Sequence, residues 1–190
     1  MHHHSLVAAG VSPAILFATR LSAPCVAVTV GSPYSLNVRS RDNARMSRLS
    51  KKEIAALHEA LDDEYKAWAT YDQVIDDFGP IRPFINIRDA ESRHIDALLQ
   101  VFNDYELTAP SNNWVGRAPR YEDVQAACEA GVEAEIENGE LYDRIIESTA
   151  QPDILVVYSN LRDASQERHL PAFQRCVERG GRRTSIGRSR

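Results

Sequence analysis

A glutamate and a histidine interrupt a helical stripe that should be apolar. From Phe84 the chain reads Phe84, Ile87, Glu91, His94, Leu98, Val101 and Tyr105 in alternating steps of three and four. That spacing puts all seven side chains on the face a helix buries. A carboxylate and an imidazole one turn apart on such a face each need a strong partner, because an unpaired buried charge is very costly. A metal ion is one such partner, and a buried hydrogen-bonded network is another.

An isolated E-x-x-H carries little information, but three further stripes repeat the anomaly. The first is Ile54, Leu57, Leu61, Glu64, Trp68, Tyr71, Ile75 and Phe78, with Glu64 inside it. The second is Val124, Cys128, Gly131, Glu135, Asn138, Tyr142 and Ile145, with Glu135 inside it. The last is Ile154, Tyr158, Leu161, Ser165, His169 and Phe173. Each predicted helix thus points an acid, a histidine or both inward near mid-length. Four helices with that content predict an all-α four-helix bundle with a carboxylate-bridged two-metal site in its core.

The 190 residues, 43% apolar and 26% charged, suit one globular domain with some tail. No apolar run approaches the roughly 20 residues that span a bilayer. Residues 1–45 carry four Arg and one Asp, and residues 180–190 carry four Arg and no acid, so the overall −5 leaves −12 on residues 46–179. An acidic body argues against a nucleic-acid surface and suits cations. The three cysteines, Cys25, Cys128 and Cys176, form no C-x-x-C, which excludes a rubredoxin-type or zinc-ribbon module in this chain. Cys128 and Cys176 read as small buried hydrophobes, and no disulfide framework is expected.

Residues 1–49 read as a disordered, targeting or mis-annotated extension. Pro13 and Arg20 interrupt the apolar run expected of a signal peptide, and Met46 precedes a clean helix start, an alternative point of initiation. The location expected is the cytoplasm, or outside it if residues 1–45 are a targeting segment. The bundle is placed at 50–179 and a basic disordered tail at 180–190. Ser50-Lys51-Lys52-Glu53 is a capping box, and Gly79-Pro80 is a stop. The helices are expected at about Lys51–Phe78, Pro83–Tyr105 and Tyr121–Thr149, then from Pro152 to Gly180-Gly181. Residues 106–120 are loop, and fifteen residues can extend roughly 50 Å, long enough for a crossover along the bundle without requiring one.

The two hairpins are related. Glu64 precedes Tyr71 by seven residues, as Glu135 precedes Tyr142; Asn86-Ile87-Arg88-Asp89-Ala90 returns as Asn160-Leu161-Arg162-Asp163-Ala164, and Arg93-His94-Ile95 as Arg168-His169-Leu170. Such a repeat makes a chance core polar pair a poor explanation. It carries one defect: eight residues separate Asn86 from His94, but nine separate Asn160 from His169. The added residue, the longer local period and Pro171, which cannot donate to Glu167, predict a π-bulge between Ser165 and Pro171. Gln166, not Glu, then lies three residues before His169, and Glu167 is the nearest carboxylate, inward only if the helix is distorted.

Glu64, Glu91-x-x-His94, Glu135 and His169 resemble the ferritin-like superfamily, in which rubrerythrins and bacterioferritins hold two irons. The match is closer to the DUF2202 family, through Pro83-Phe84-x-Asn86-Ile87, Glu91-x-x-His94-x-x-Ala97 and Ser165-x-x-x-His169-Leu170-x-Ala172-Phe173. The resemblance implies a ferritin-like bundle and a metal site in which Glu64 and His94 hold one ion, Glu135 and His169 the other, and Glu91 bridges. Gln166 and Glu167 are the doubtful additional ligands. Iron is the cofactor expected, two ions or one, with manganese or zinc as alternatives. Tyr71 and Tyr142 are core aromatics on one reading, and hydrogen-bond partners of ligand carboxylates or electron relays on the other. Trp68 reads as core, and Arg93 and Arg168 as partners of surface or interface carboxylates.

The function expected is that of a ferritin-like metalloprotein that oxidises Fe(II) or reduces oxygen or peroxide. The alternatives are a non-catalytic metal-binding or storage protein and a helical bundle with a vestigial site. The partners expected are metal ions with oxygen or peroxide, neither nucleic acid nor membrane, and a homodimer is one assembly open to the chain.

Overall fold

In this computed structural model residues 49–187 are described, with side chains through residue 180; the extension expected at 1–49 lies almost wholly outside them. The described residues are helical or loop throughout: α1 Lys51–Phe78, α2 Phe84–Asp104, α3 Val124–Ile146, α4 Pro152–Ala164, a π-helical segment Ser165–His169, and α5 Leu170–Gly187. The last three form one irregular rod, so the chain builds a four-helix bundle. Among the described residues no helix is long and apolar enough to cross a membrane.

Helix ends follow local chemistry. Glu53 N–H donates to Ser50 Oγ at 3.2 Å while Ser50 N–H donates to Glu53 Oε2 at 2.7 Å, completing the capping box that starts α1. Gly79 ends it at φ 88°, with its N–H on Ile75 O, a backbone conformation that favours glycine. Helix α3 is shorter than expected at both ends. Asp123 Oδ1 accepts the Ala126 N–H at 2.8 Å, so the helix starts at Val124 and Tyr121 stays outside. At the far end Ser148 Oγ donates to Ile145 O and closes the last turn. Conversely, the final helix does not stop at Gly180-Gly181 but runs to Gly187. A Cβ on Gly180 would meet the end of the Gln125 side chain of α3, and glycine there carries only the modest cost it has inside a helix.

Cross-helix contacts fix the topology. Along α1 and α3, Glu59 meets Arg144, Asp63 meets Asn138 and Lys66 meets Glu137, so these helices run antiparallel. Helices α1 and α2 are antiparallel as well, since Asp72 meets Arg88 and Glu64 meets His94. Helix α2 is therefore parallel to α3, and the loop between them must travel the length of the bundle. It does so along α1: Tyr65 OH donates to Pro110 O, Trp114 Nε1–H donates to Asp62 Oδ1, and Arg120 pairs with Asp77 at the far end. The crossover left open by loop length is thus required by helix direction.

Two apolar clusters occupy the interior. One gathers Leu57, Leu61, Leu98, Phe102, Tyr142 and Tyr158; the other gathers Tyr71, Phe84, Phe173, Cys128 and Cys176. On every helix the stripe's acid or histidine falls in sequence between its contributions to the two, so a polar layer lies between two dry ones. Gly131 lets Phe173 close on α3, where a Cβ would sit 2.6 Å from the ring.

The expectation for two cysteines is overturned. Cys128 and Cys176 form a disulfide with Cα atoms 5.9 Å apart. Both lie on inward stripes, as expected, but the stripes meet where α5 packs on α3, and sequence distance hides that adjacency. Cys25 lies outside the described residues.

Candidate metal centre

Five side chains converge in the polar layer. Glu64, Glu91, Glu135 and His169 are buried, and His94 is 13% exposed at its side chain. His94 Nδ1 lies 2.7 Å from Glu91 Oε2 and 3.2 Å from Glu64 Oε2. His169 Nδ1 lies 3.2 Å from Glu91 Oε1 and 3.6 Å from Glu135 Oε2. The two imidazoles stack with centroids 5.5 Å apart. Two triads result, Glu64–Glu91–His94 and Glu91–Glu135–His169, each with donor atoms within 4.8 Å of one another. Glu91 belongs to both and turns one oxygen to each.

The π-helical segment makes the second triad reachable. One residue added to an α-helix rotates everything after it by about 100°, which would carry His169 off the inner face. A wider turn absorbs the addition: Leu170 N–H bonds Ser165 O, five residues back, and His169 stays inside. The bulge predicted from the repeat lies at the expected residues.

That bulge also sets where Glu167 and Gln166 face. Glu167 is exposed and stands outside the cluster, because the wide turn directs Ser165 and His169 inward and leaves Glu167 on the outer side. Gln166 turns toward α3, where its Nε2–H donates to Glu135 O at 2.6 Å, so its amide anchors backbone beside the site. Gly139 makes room for it, since a Cβ there would strike the Gln166 amide. Ser165 takes the place corresponding to Glu91: both follow the repeated Asn-x-Arg-Asp-Ala. Ser165 Oγ donates to Glu135 Oε2 at 2.7 Å.

Both tyrosines bond site carboxylates, in crossed fashion. Tyr71 OH donates to Glu135 Oε1 at 2.8 Å, and Tyr142 OH donates to Glu64 Oε1 at 2.7 Å. Each holds the glutamate of the other hairpin, because antiparallel α1 and α3 bring the end of one beside the middle of the other. Burial raises both phenols well above their ordinary range, and the adjacent carboxylates raise them further, so each stays a proton donor.

Two outlying expectations change. Trp68 is only partly buried and donates from Nε1 to Ser92 Oγ at 2.9 Å. Arg93 donates to the backbone carbonyl of Asp89 at 2.6 Å instead of a carboxylate. A repeated pair unnoticed in the sequence does the bracing: Arg88 meets Asp72 at 2.8 Å and Arg162 meets Asp143 at 2.6 Å. In each hairpin the aspartate follows the site tyrosine.

Charge within the cluster is balanced by protons. Burial pulls the pKa of His94 and His169 down, but the hydrogen bonds they donate to Glu64, Glu91 and Glu135 outweigh it and raise them to about 10 and about 9. Burial and then repulsion from Glu91 push Glu64 up to about 7. Glu91 is also pushed up by burial, yet the hydrogen bonds from His169 and His94 overcome this and hold it below the usual carboxylate range. The cluster is therefore a carboxylate–imidazolium network. A cavity of about 40 Å³ adjoins it, lined by these residues and by Asp63, Thr70, Ala134 and Asn138.

A solved structure of a hypothetical protein from Methanococcus jannaschii is similar, with a TM-score of 0.64 at 23% identity over 70% of this chain and 84% of that one. At that identity the likeness concerns the fold alone. No curated protein matches the chain. Residues 53–188 match the family described as an uncharacterized protein domain, DUF2202, and since that span covers well over half of the chain, the chain belongs to the DUF2202 family.

Proposed function

We propose that this chain is a ferritin-like metalloprotein holding two divalent first-row ions, iron foremost, and acting as a non-haem oxidoreductase on Fe(II), oxygen or peroxide. The observation that carries the reading is Glu91, whose two oxygens face different histidines at 2.7 and 3.2 Å. A structural ion pair needs no such division, whereas a carboxylate shared by two ions does. The donor set fits: carboxylate oxygens and imidazole nitrogens suit Fe(II), Mn(II) and Zn(II). Glu64 and His94 would hold one ion, Glu135 and His169 the other, and Glu91 both.

When bound, a redox-active pair of ions supplies electrons to a small oxidant. The chain's own residues bind and orient. Tyr142 and Tyr71 each occupy one oxygen of Glu64 and Glu135, fixing those carboxylates as hydrogen bonds beyond the ligands do in metal sites. Two apolar clusters exclude bulk water above and below. A cavity of about 40 Å³ accepts a water- or peroxide-sized molecule and no sizeable organic substrate. The Cys128–Cys176 disulfide favours an oxidising compartment over the cytoplasm.

Anaerobic titration of the metal-free protein with Fe(II) tests the reading. Two ions per chain, both weakened by Glu91→Ala, support it; no binding sinks it. One feature favours the vestigial alternative: Ser165, not an acid, stands where a second shared carboxylate would be. On that reading the imidazolium network is the finished core, and no cation displaces its protons.

A further inference from the structure

We propose that Asp63 and Asn138 form an outer oxygen-donor site that receives a divalent cation on its way to the central carboxylates. The inference rests on the metal reading above and adds a second, weaker station to it. The cavity beside the cluster runs along the seam between α1 and α3, where Ala67, Thr70, Ala130 and Ala134 leave it room. Asp63 precedes Glu64, and Asn138 lies one turn beyond Glu135, so both border the cavity beside the inner ligands. Asn138 Nδ2–H donates to Asp63 Oδ2 at 2.8 Å.

That bond leaves Asn138 Oδ1 without a hydrogen-bond partner among the described residues, although Asn138 is only 8% exposed. A buried amide oxygen facing no donor is costly, and a positive charge in the cavity removes the cost. Asp63 supplies the negative charge beside it. An amide oxygen and one carboxylate are hard donors of the kind that Mn(II), Fe(II) and Mg(II) accept. A single acid also makes the station weak. A cation can leave it for three carboxylates further in, and useful conduction needs sites that release what they bind. Lys66 lies at the same seam, paired to Glu137 at 4.0 Å with both side chains well exposed. Such a long exposed pair is loosely held, and Lys66 can turn to solvent as a cation approaches.

Rapid mixing of the metal-free full chain with Co(II), followed by its visible absorption, tests the station. Asp63→Asn and Asn138→Ala should each slow association about tenfold, the lower end of what local electrostatic attraction gives, while the number of ions bound at equilibrium stays that of wild type. Glu140→Gln, an equal loss of charge at an exposed site on α3, should leave the rate unchanged. Asn138→Asp should bind at least as fast as wild type. Unchanged rates in Asp63→Asn and Asn138→Ala, as a water-filled proton path would give, overturn the station alone. An equal slowing in Glu140→Gln overturns it too, by reducing the effect to net charge. If the wild type binds no Co(II), the metal reading itself fails and the station falls with it.

Discussion

The two hairpins of this bundle began from one pattern and diverge at one turn. In the first, α1 and α2 carry Glu64, Tyr71, Arg88 and the unbroken Glu91-x-x-His94. In the second, α3 and α4 carry Glu135, Tyr142 and Arg162, then Ser165, a wide turn and His169. The first hairpin supplies the carboxylate that both triads share; the second supplies none in return. What it supplies instead is rigidity: Ser165 and Gln166 both fasten to Glu135, and a disulfide ties α3 to α5. The lesson is that an inserted residue need not displace a site residue. One wide turn absorbs the extra rotation, and His169 still meets Glu91.

The largest expected effect separates the hairpins by their covalent chemistry. Replacing Cys128 and Cys176 together by Ala should cost about 4 kcal/mol, the loop-closure value for a separation near fifty residues, read as the drop in urea unfolding free energy. No change would mean the disulfide does not form in solution. The next effect tests which hairpin would govern a bound metal ion. At a hundredfold excess over its dissociation constant, an ion bound only by the folded state stabilises by about 2.7 kcal/mol. Thermal melts should show Glu91→Ala losing most of that gain and Ser165→Ala keeping it. Equal losses would place the two hairpins on the same footing and contradict the asymmetry.

The pH dependence comes third. In chelator, His94 and His169 have folded pKa values raised to about 10 and about 9 from an ordinary 6.5, and Glu64 is raised to about 7 from 4.5. A raised folded pKa gives stability that is complete below the unfolded value and lost as pH climbs through the folded one. The metal-free protein should therefore weaken from about pH 5 upward, through Glu64 and then His169, with His94 holding longest. His94→Gln and His169→Gln should each flatten the alkaline limb. Stability that rose between pH 7 and 10 would contradict the imidazolium network. The smallest effect concerns the repeated ion pairs. Arg88→Ala and Arg162→Ala should each cost under about 1 kcal/mol, Arg88 the more, because its pair with Asp72 is the less exposed. Larger losses from Arg162→Ala would reverse that ranking.

Much of this architecture was legible because helical burial writes itself at a spacing of three and four. Glu64, Glu91, Glu135 and His169 all sit on the faces their stripes assigned, and the offset between Asn86–His94 and Asn160–His169 located the wide turn. Features that depend on how separate helices register were not legible. The crossed tyrosines require α1 and α3 to be antiparallel neighbours, and the Cys128–Cys176 bridge requires α5 to lie on α3. The start of α3 depended on the Asp123 cap, a local signal that the apolar period overran. One missed signal was present: the Asn-x-Arg-Asp-Ala repeat aligns Glu91 with Ser165 and so identifies the residue occupying the second shared position.

The central claim is that Glu91 serves two cation positions at once. The most direct test is the ion count per chain after anaerobic loading of wild type, His94→Ala and His169→Ala with Fe(II), measured by elemental analysis. The account predicts two ions in wild type and one in each histidine variant. Two ions in both variants, or none in wild type, would contradict it.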